Sequence, residues 1–89
     1  MAWRIEFEED AGRTLRKLHP TVVKRILRFL HERLAEEIDP RRLGETLTGA
    51  KYKSLWKYRV GDYRLIARVK DDSVTISVID VGHRSRVYR

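Results

Sequence analysis

The chain has 89 residues, with 20 Lys or Arg against 13 Asp or Glu, a formal net charge of +7 and no cysteine. That length supports a single domain, 1–89, able to bury roughly 60% of its unfolded surface in one modest core and without room for a separate cofactor domain. The missing cysteine excludes a disulfide framework, a zinc–thiolate site and a thiol nucleophile, while the positive excess points to a polyanionic partner such as nucleic acid, the ribosome or an acidic protein.

Near the start, Trp3, Ile5 and Phe7 alternate with Arg4 and Glu6, the pattern of a half-buried strand. Glu8, Glu9 and Asp10 then supply negative charge where a helix begins, and Ala11, Thr14, Leu15 and Leu18 follow at helical spacing. Pro20 cannot sit inside that helix but fits the first turn of another, so His19 marks a joint. From Thr21 to about Glu37 an apolar stripe of Val23, Ile26, Leu27, Leu30 and Leu34, widened by Val22 and Phe29, predicts a long amphipathic helix. Ile38 to Ala50 holds Pro40, Gly44 and Gly49 without sustained period and reads as a loop, with Leu43 and Leu47 available to pin it.

Tyr52 to Arg89 reads as three strands and a basic tail, cut by two turn signals, Gly61-Asp62 and Asp71-Asp72. A two-residue loop fixes which residues lie opposite one another. The first turn pairs Val60 with Tyr63, Tyr58 with Leu65 and Trp56 with Ala67 on one face, and Arg59 with Arg64, Lys57 with Ile66 and Leu55 with Arg68 on the other. The second, read the same way, pairs Val69 with Val74, Ala67 with Ile76 and Leu65 with Val78. The predicted fold is α+β, in the order β-α-α-β-β-β, a mainly antiparallel sheet with two N-terminal helices packed on one face. No apolar run reaches the length of a membrane span and the first residues lack a signal-peptide core, so a soluble, cytoplasmic chain without membrane contact is expected.

Like charges facing each other across a ladder repel, and Arg59 opposite Arg64, with Lys57 and Arg68 close by, suggests a bound anion; the alternative is that these side chains splay into water. The three histidines, His19, His31 and His83, are not at ligand spacing, and no HExxH, phosphate-binding glycine loop or G-x-S-x-G motif occurs. The expectation is a site without metal or cofactor, suited to phosphoryl chemistry on RNA, where the substrate's own 2′-hydroxyl attacks and the protein orients it, moves protons and stabilises the charged transition state. Arg64 and Arg84 suit the last task because a guanidinium fork binds two phosphate oxygens and stays charged. For proton transfer the choices are Lys57, Tyr88 and His83, although Tyr88 also reads as a packing anchor and His83 as a turn residue. Lys53, Arg59, Arg68, His83 and Arg86 are the remaining candidates for RNA contact.

Lys57 to Ile66, KYRVGDYRLI, together with a strand ending in Asp80-Val81 and the closing VGHRSRVYR, resembles the RelE branch of the RelE/ParE toxins of toxin–antitoxin modules, and the order of elements is similar along essentially the whole chain. The resemblance implies a ribosome-dependent endoribonuclease that cuts messenger RNA in the decoding site, in a heteromeric complex with a separately encoded, RelB-like antitoxin when inactive. Carried over by position, it implies that Arg64 stabilises the transition-state phosphate, that Arg84 makes a second phosphate contact, that Lys57 lies near the nucleophile and that Tyr88 stacks on or orients the nucleotide. Leu55 stands where better-studied members have a second lysine, and their tail is longer, with its tyrosine set two residues further from the arginine. Two other readings belong to the same fold: a ParE-like inhibitor of DNA gyrase, and a catalytically weak homologue that mainly binds its antitoxin.

Overall fold

The alternating segment and the apolar stripes become β1 (Arg4–Phe7), α1 (Glu9–Lys17) and α2 (Pro20–Arg28) in the computed structural model, which describes residues 2–47 and 54–83. Acidic Glu9 and Asp10 begin α1 and basic Arg16 and Lys17 end it, the arrangement a helix dipole favours. Pro20 opens α2, and His19 caps it by accepting the Thr21 N–H at Nδ1, 3.1 Å away. The long helix predicted to run as regular α-helix to about Glu37 instead widens into a π turn over Phe29–Leu34, where the Ala35 N–H bonds to the Leu30 carbonyl five residues back. The apolar stripe holds regardless: Ile26, Leu30 and Leu34 are fully buried and Ala35 joins them.

A short 3-10 turn (Pro40–Leu43), begun by the Asp39 carboxylate accepting the Arg41 N–H at 3.1 Å, leads into β2 (Glu45–Thr46). This corrects the loop expected over residues 38–50, part of which is an edge strand. Gly44 allows it, because a Cβ there would lie 2.7 Å from Tyr58 Cε1 and 3.1 Å from the Lys57 carbonyl oxygen.

The remaining strands are β3 (Leu55–Val60), β4 (Tyr63–Lys70) and β5 (Thr75–His83), and the sheet order is β1-β5-β4-β3-β2. Among the described residues β1 pairs in parallel with β5, and the other neighbours are antiparallel. All six pairs predicted for the first hairpin occur, and Gly61, at φ +60°, supplies the first central position of its turn.

The second hairpin differs. Its connection runs Asp71 to Val74, with a 3-10 turn and Val74 in the left-handed region, so Lys70 pairs with Thr75 and Val69 with Ile76 rather than Val74. The slip is by two residues, which preserves faces. A bulge then intervenes: Ala67 pairs with Val78 but Ile66 with Asp80, leaving Ile79 as the extra residue. That residue reverses the alternation, returning Val81 to the core opposite Leu65.

The main core lies between the helices and one sheet face, where Ala11, Leu15, Ile26, Leu30 and Leu34 meet Tyr58, Leu65, Ala67, Ile76 and Val78. On the opposite face Leu55 and Ile66 are buried in a smaller cluster with Leu47 and Ile79. Among the described residues no helix is long and apolar enough to cross a membrane.

Candidate functional site

Strand alternation fixes the site's composition. Because Tyr58 and Leu65 face the helices, Lys57, Arg59, Arg64 and Arg68 project from the other face, with Arg59 directly across from Arg64. Neither Arg59 nor Arg64 has an ion-pair partner among the described residues. Arg64 goes further: its Nε is buried and finds no hydrogen-bond acceptor among the described residues. A buried donor left unmade costs about 1–3 kcal/mol, a cost that an acceptor from outside the fold would relieve.

Lys57 is not surrounded by cations alone. Glu45 lies opposite it on β2, and its carboxylate Oε1 is 3.0 Å from the Lys57 ammonium. The hydrogen bond from Lys57, then its charge, and behind them the charges of Arg59 and Arg64, hold the Glu45 carboxyl below the usual glutamate value of 4.5. A depressed carboxyl pKa means that the pairing is complete above about 4.5 and is lost as pH falls through the lower folded value. Carbon-detected NMR should place the Glu45 midpoint below 4.5, and Lys57→Met should return it toward 4.5; an unmoved midpoint would show that the pair does not persist in solution. Sequence reading missed Glu45 because a two-residue strand has no periodicity.

The other basic residues separate. Arg68 turns toward Glu8, 3.6 Å away, and Lys70 pairs with Glu6 at 3.6 Å, forming a charge-balanced end of the same face. The Leu55–Ile66 cluster belongs to this face as well. His83 corrects the expectation of a histidine on the basic surface: the bulge at Ile79 leaves Gly82 opposite Arg64 and sets His83 opposite Tyr63, whose ring it meets edge-on at 5.6 Å. His83 and Tyr63 line a cavity of about 300 Å³ with Thr14 and Leu18 from the helical side. Lys53, Arg84, Arg86 and Tyr88 lie outside the described residues.

The arrangement offers two guanidinium groups on adjacent strands, without an ion-pair partner among the described residues, beside a lysine held by a carboxylate. This suits a phosphate diester: the guanidinium groups can divide its charge, and the lysine stands within a strand's spacing of them.

Residues 5–88 match the family described as the ParE toxin of the type II toxin–antitoxin system parDE. The chain is 32% identical over its whole length to Toxin RelG of Mycobacterium tuberculosis, covering 99% of that protein. It is 36% identical over 86 residues to the mRNA interferase toxin RelE of Escherichia coli, covering 97% of this chain and 87% of that one. Among solved structures, it superposes on a chain of the toxin–antitoxin complex RelBE2 of M. tuberculosis with a TM-score of 0.84 and 28% identity, covering 96% of this chain and 94% of that one. It also superposes on a chain of the archaeal RelE–RelB complex of Pyrococcus horikoshii with a TM-score of 0.74 and 26% identity, covering 98% and 100%.

Proposed function

Since the chain belongs to the RelE/ParE toxins of type II toxin–antitoxin systems, we propose that it is an endoribonuclease that cuts messenger RNA on the ribosome. The observation that carries this reading is Arg64, directly opposite Arg59 and on the face that Lys57 shares, with a buried Nε that lacks an acceptor and a neighbour in Arg59 that lacks an ion-pair partner among the described residues. Guanidinium groups facing each other across adjacent strands, without an ion-pair partner among the described residues, match the acceptor oxygens that a phosphate diester offers.

In the reaction, the 2′-oxygen of one nucleotide bonds to the adjacent phosphorus, the bond from phosphorus to the next nucleotide's 5′-oxygen breaks, and a 2′,3′-cyclic phosphate and a 5′-hydroxyl result. Arg64 receives the charge that grows on the phosphate oxygens, with Arg84 as the second contact. Lys57 and Tyr88 take the proton transfers from the 2′-hydroxyl and to the leaving oxygen. Arg59, Lys53 and Arg86 hold the message and ribosomal RNA. The roles of Arg84, Arg86, Lys53 and Tyr88 rest on their positions in the sequence. The toxin works in the cytoplasm, and a RelB-like antitoxin silences it in a heteromeric complex, as RelB accompanies RelE in the complexes it resembles.

The match to the family described as ParE toxin keeps gyrase inhibition as a second reading. Expression in a sensitive host separates the two: growth arrest with messages cut within codons is the expected result, and arrest with DNA damage, blocked supercoiling and intact message would replace it with the gyrase reading. Normal growth and intact message at high protein level would leave a binder of its antitoxin.

A further inference from the structure

Three acid–base pairs stand on the face that carries Arg64 among the described residues: Arg68 with Glu8 and Lys70 with Glu6, each at 3.6 Å, and Lys57 with Glu45 at 3.0 Å. The first two balance one end of that face. The third stands apart, because its neighbours are Arg59 and Arg64, which have no ion-pair partner among the described residues and whose charges reach Glu45. Lys57 is also the more sheltered partner, its side chain 24% exposed against 75% for Glu45. Like charge would drive a lysine beside two guanidinium groups to swing its flexible stem into water. Lys57 instead stays down on the sheet, where the carboxylate opposite it on β2 offsets the repulsion.

Resting on the reading of the chain as an RNA-cleaving toxin, we propose that Glu45 is a positioning residue of the cleavage: it fixes the Lys57 ammonium beside the arginines and so commits Lys57 to the leaving 5′-oxygen rather than to the 2′-hydroxyl. A general base needs a lone pair, and an ammonium has three N–H donors and no acceptor. Glu45 Oε1 engages one of those donors, which leaves two for the substrate. They have space to meet it, since Lys57 lines a cavity of about 230 Å³ with Leu43, Glu45 and Arg59.

In this step Lys57 gives a proton to the 5′-oxygen as the bond from that oxygen to phosphorus breaks, the electron pair of the bond staying on the oxygen. The proton lost by the 2′-oxygen leaves through Tyr88 to water, and the Lys57 amine recovers one from water, so the turnover neither gains nor loses a proton. Glu45 enters the cycle ionised, because the hydrogen bond from Lys57 holds its carboxyl below the usual value of 4.5. An ion pair with so exposed a carboxylate adds little to stability, so a change at Glu45 is read in the reaction and not in the fold.

A message with sulfur in place of the scissile 5′-oxygen isolates this role, because a thiolate leaves without a proton. In single turnovers on programmed ribosomes, Glu45→Gln should cut ordinary message roughly ten- to a hundredfold more slowly than the wild type, and Glu45→Asp should recover part of that loss. Both variants should cut the sulfur-bearing message within about threefold of the wild-type rate, with an unchanged melting temperature. Arg64→Ala, which removes a contact to the phosphate itself, should remain slow on both messages. Ordinary message cut at the wild-type rate by Glu45→Gln would overturn the proposal. An equal loss on both messages, with or without a lower melting temperature, would overturn it too, since the carboxylate would then serve the 2′-hydroxyl or the fold. A wild type that cuts neither message defeats the ribonuclease reading, and this inference with it.

Discussion

Arg64→Ala is expected to lower message cleavage by roughly a hundred- to a thousandfold, the loss usual when a preorganised donor to developing charge is removed. The same substitution should leave the melting temperature no lower than that of the wild type. These outcomes belong together because the Arg64 Nε is buried and finds no acceptor among the described residues, so removing the side chain takes no hydrogen bond from the fold. A structural arginine would behave in the opposite way, since losing its partners would destabilise the fold. Arg64→Lys provides the finer test: it keeps the charge but loses Nε and the planar fork, so it should recover only part of the lost rate. Primer extension on programmed ribosomes and a thermal melt measure both halves. Cleavage by Arg64→Ala within tenfold of wild type, or a melting temperature many degrees lower, would show that the guanidinium serves the fold.

How far such residues could be found from sequence depended on what fixes strand register. Gly61-Asp62 closes a two-residue loop, so six cross-strand pairs, and with them the face shared by Lys57, Arg59 and Arg64, followed from spacing alone. Asp71-Asp72 resembles the same signal, but the chain continues to Val74, which takes a left-handed conformation rare for a β-branched residue. The two-residue slip left the faces intact, and the error became visible only past the bulge, where Ile79 reversed the alternation and took His83 off the basic face. Glu45 was hidden for another reason. Its strand has two residues, and the one trace of its close approach to β3 is Gly44, which in sequence is indistinguishable from a loop glycine. The tail roles of Arg84 and Tyr88 still stand on motif and position.

The largest effect on stability is expected at Tyr58, and it should reach the site. Tyr58 is 1% exposed, packs against Phe29 with ring centroids 6.1 Å apart, and donates its hydroxyl to the Pro40 carbonyl at 3.0 Å. Burial pushes the phenol pKa up, so the hydroxyl stays a donor throughout the pH range in which the protein is handled. Tyr58→Ala should cost about 3–5 kcal/mol, a large part of the roughly 5–15 kcal/mol that holds a domain together, and leave much of the chain unfolded at 37 °C. Tyr58→Phe isolates the hydrogen bond: it strands the Pro40 carbonyl, costs about 1 kcal/mol and lowers the melting temperature by about 4–8 °C. Pro40 begins the turn that delivers Gly44 and Glu45 to the edge of β3, so the phenol holds in place the strand that sets a carboxylate against Lys57. With that tie cut, the Glu45 carboxyl should titrate closer to 4.5 in Tyr58→Phe than in the wild type. A lower melting temperature with an unmoved Glu45 midpoint would separate the hydroxyl's structural role from the site. A wild-type melting curve would show that the Pro40 carbonyl finds another donor.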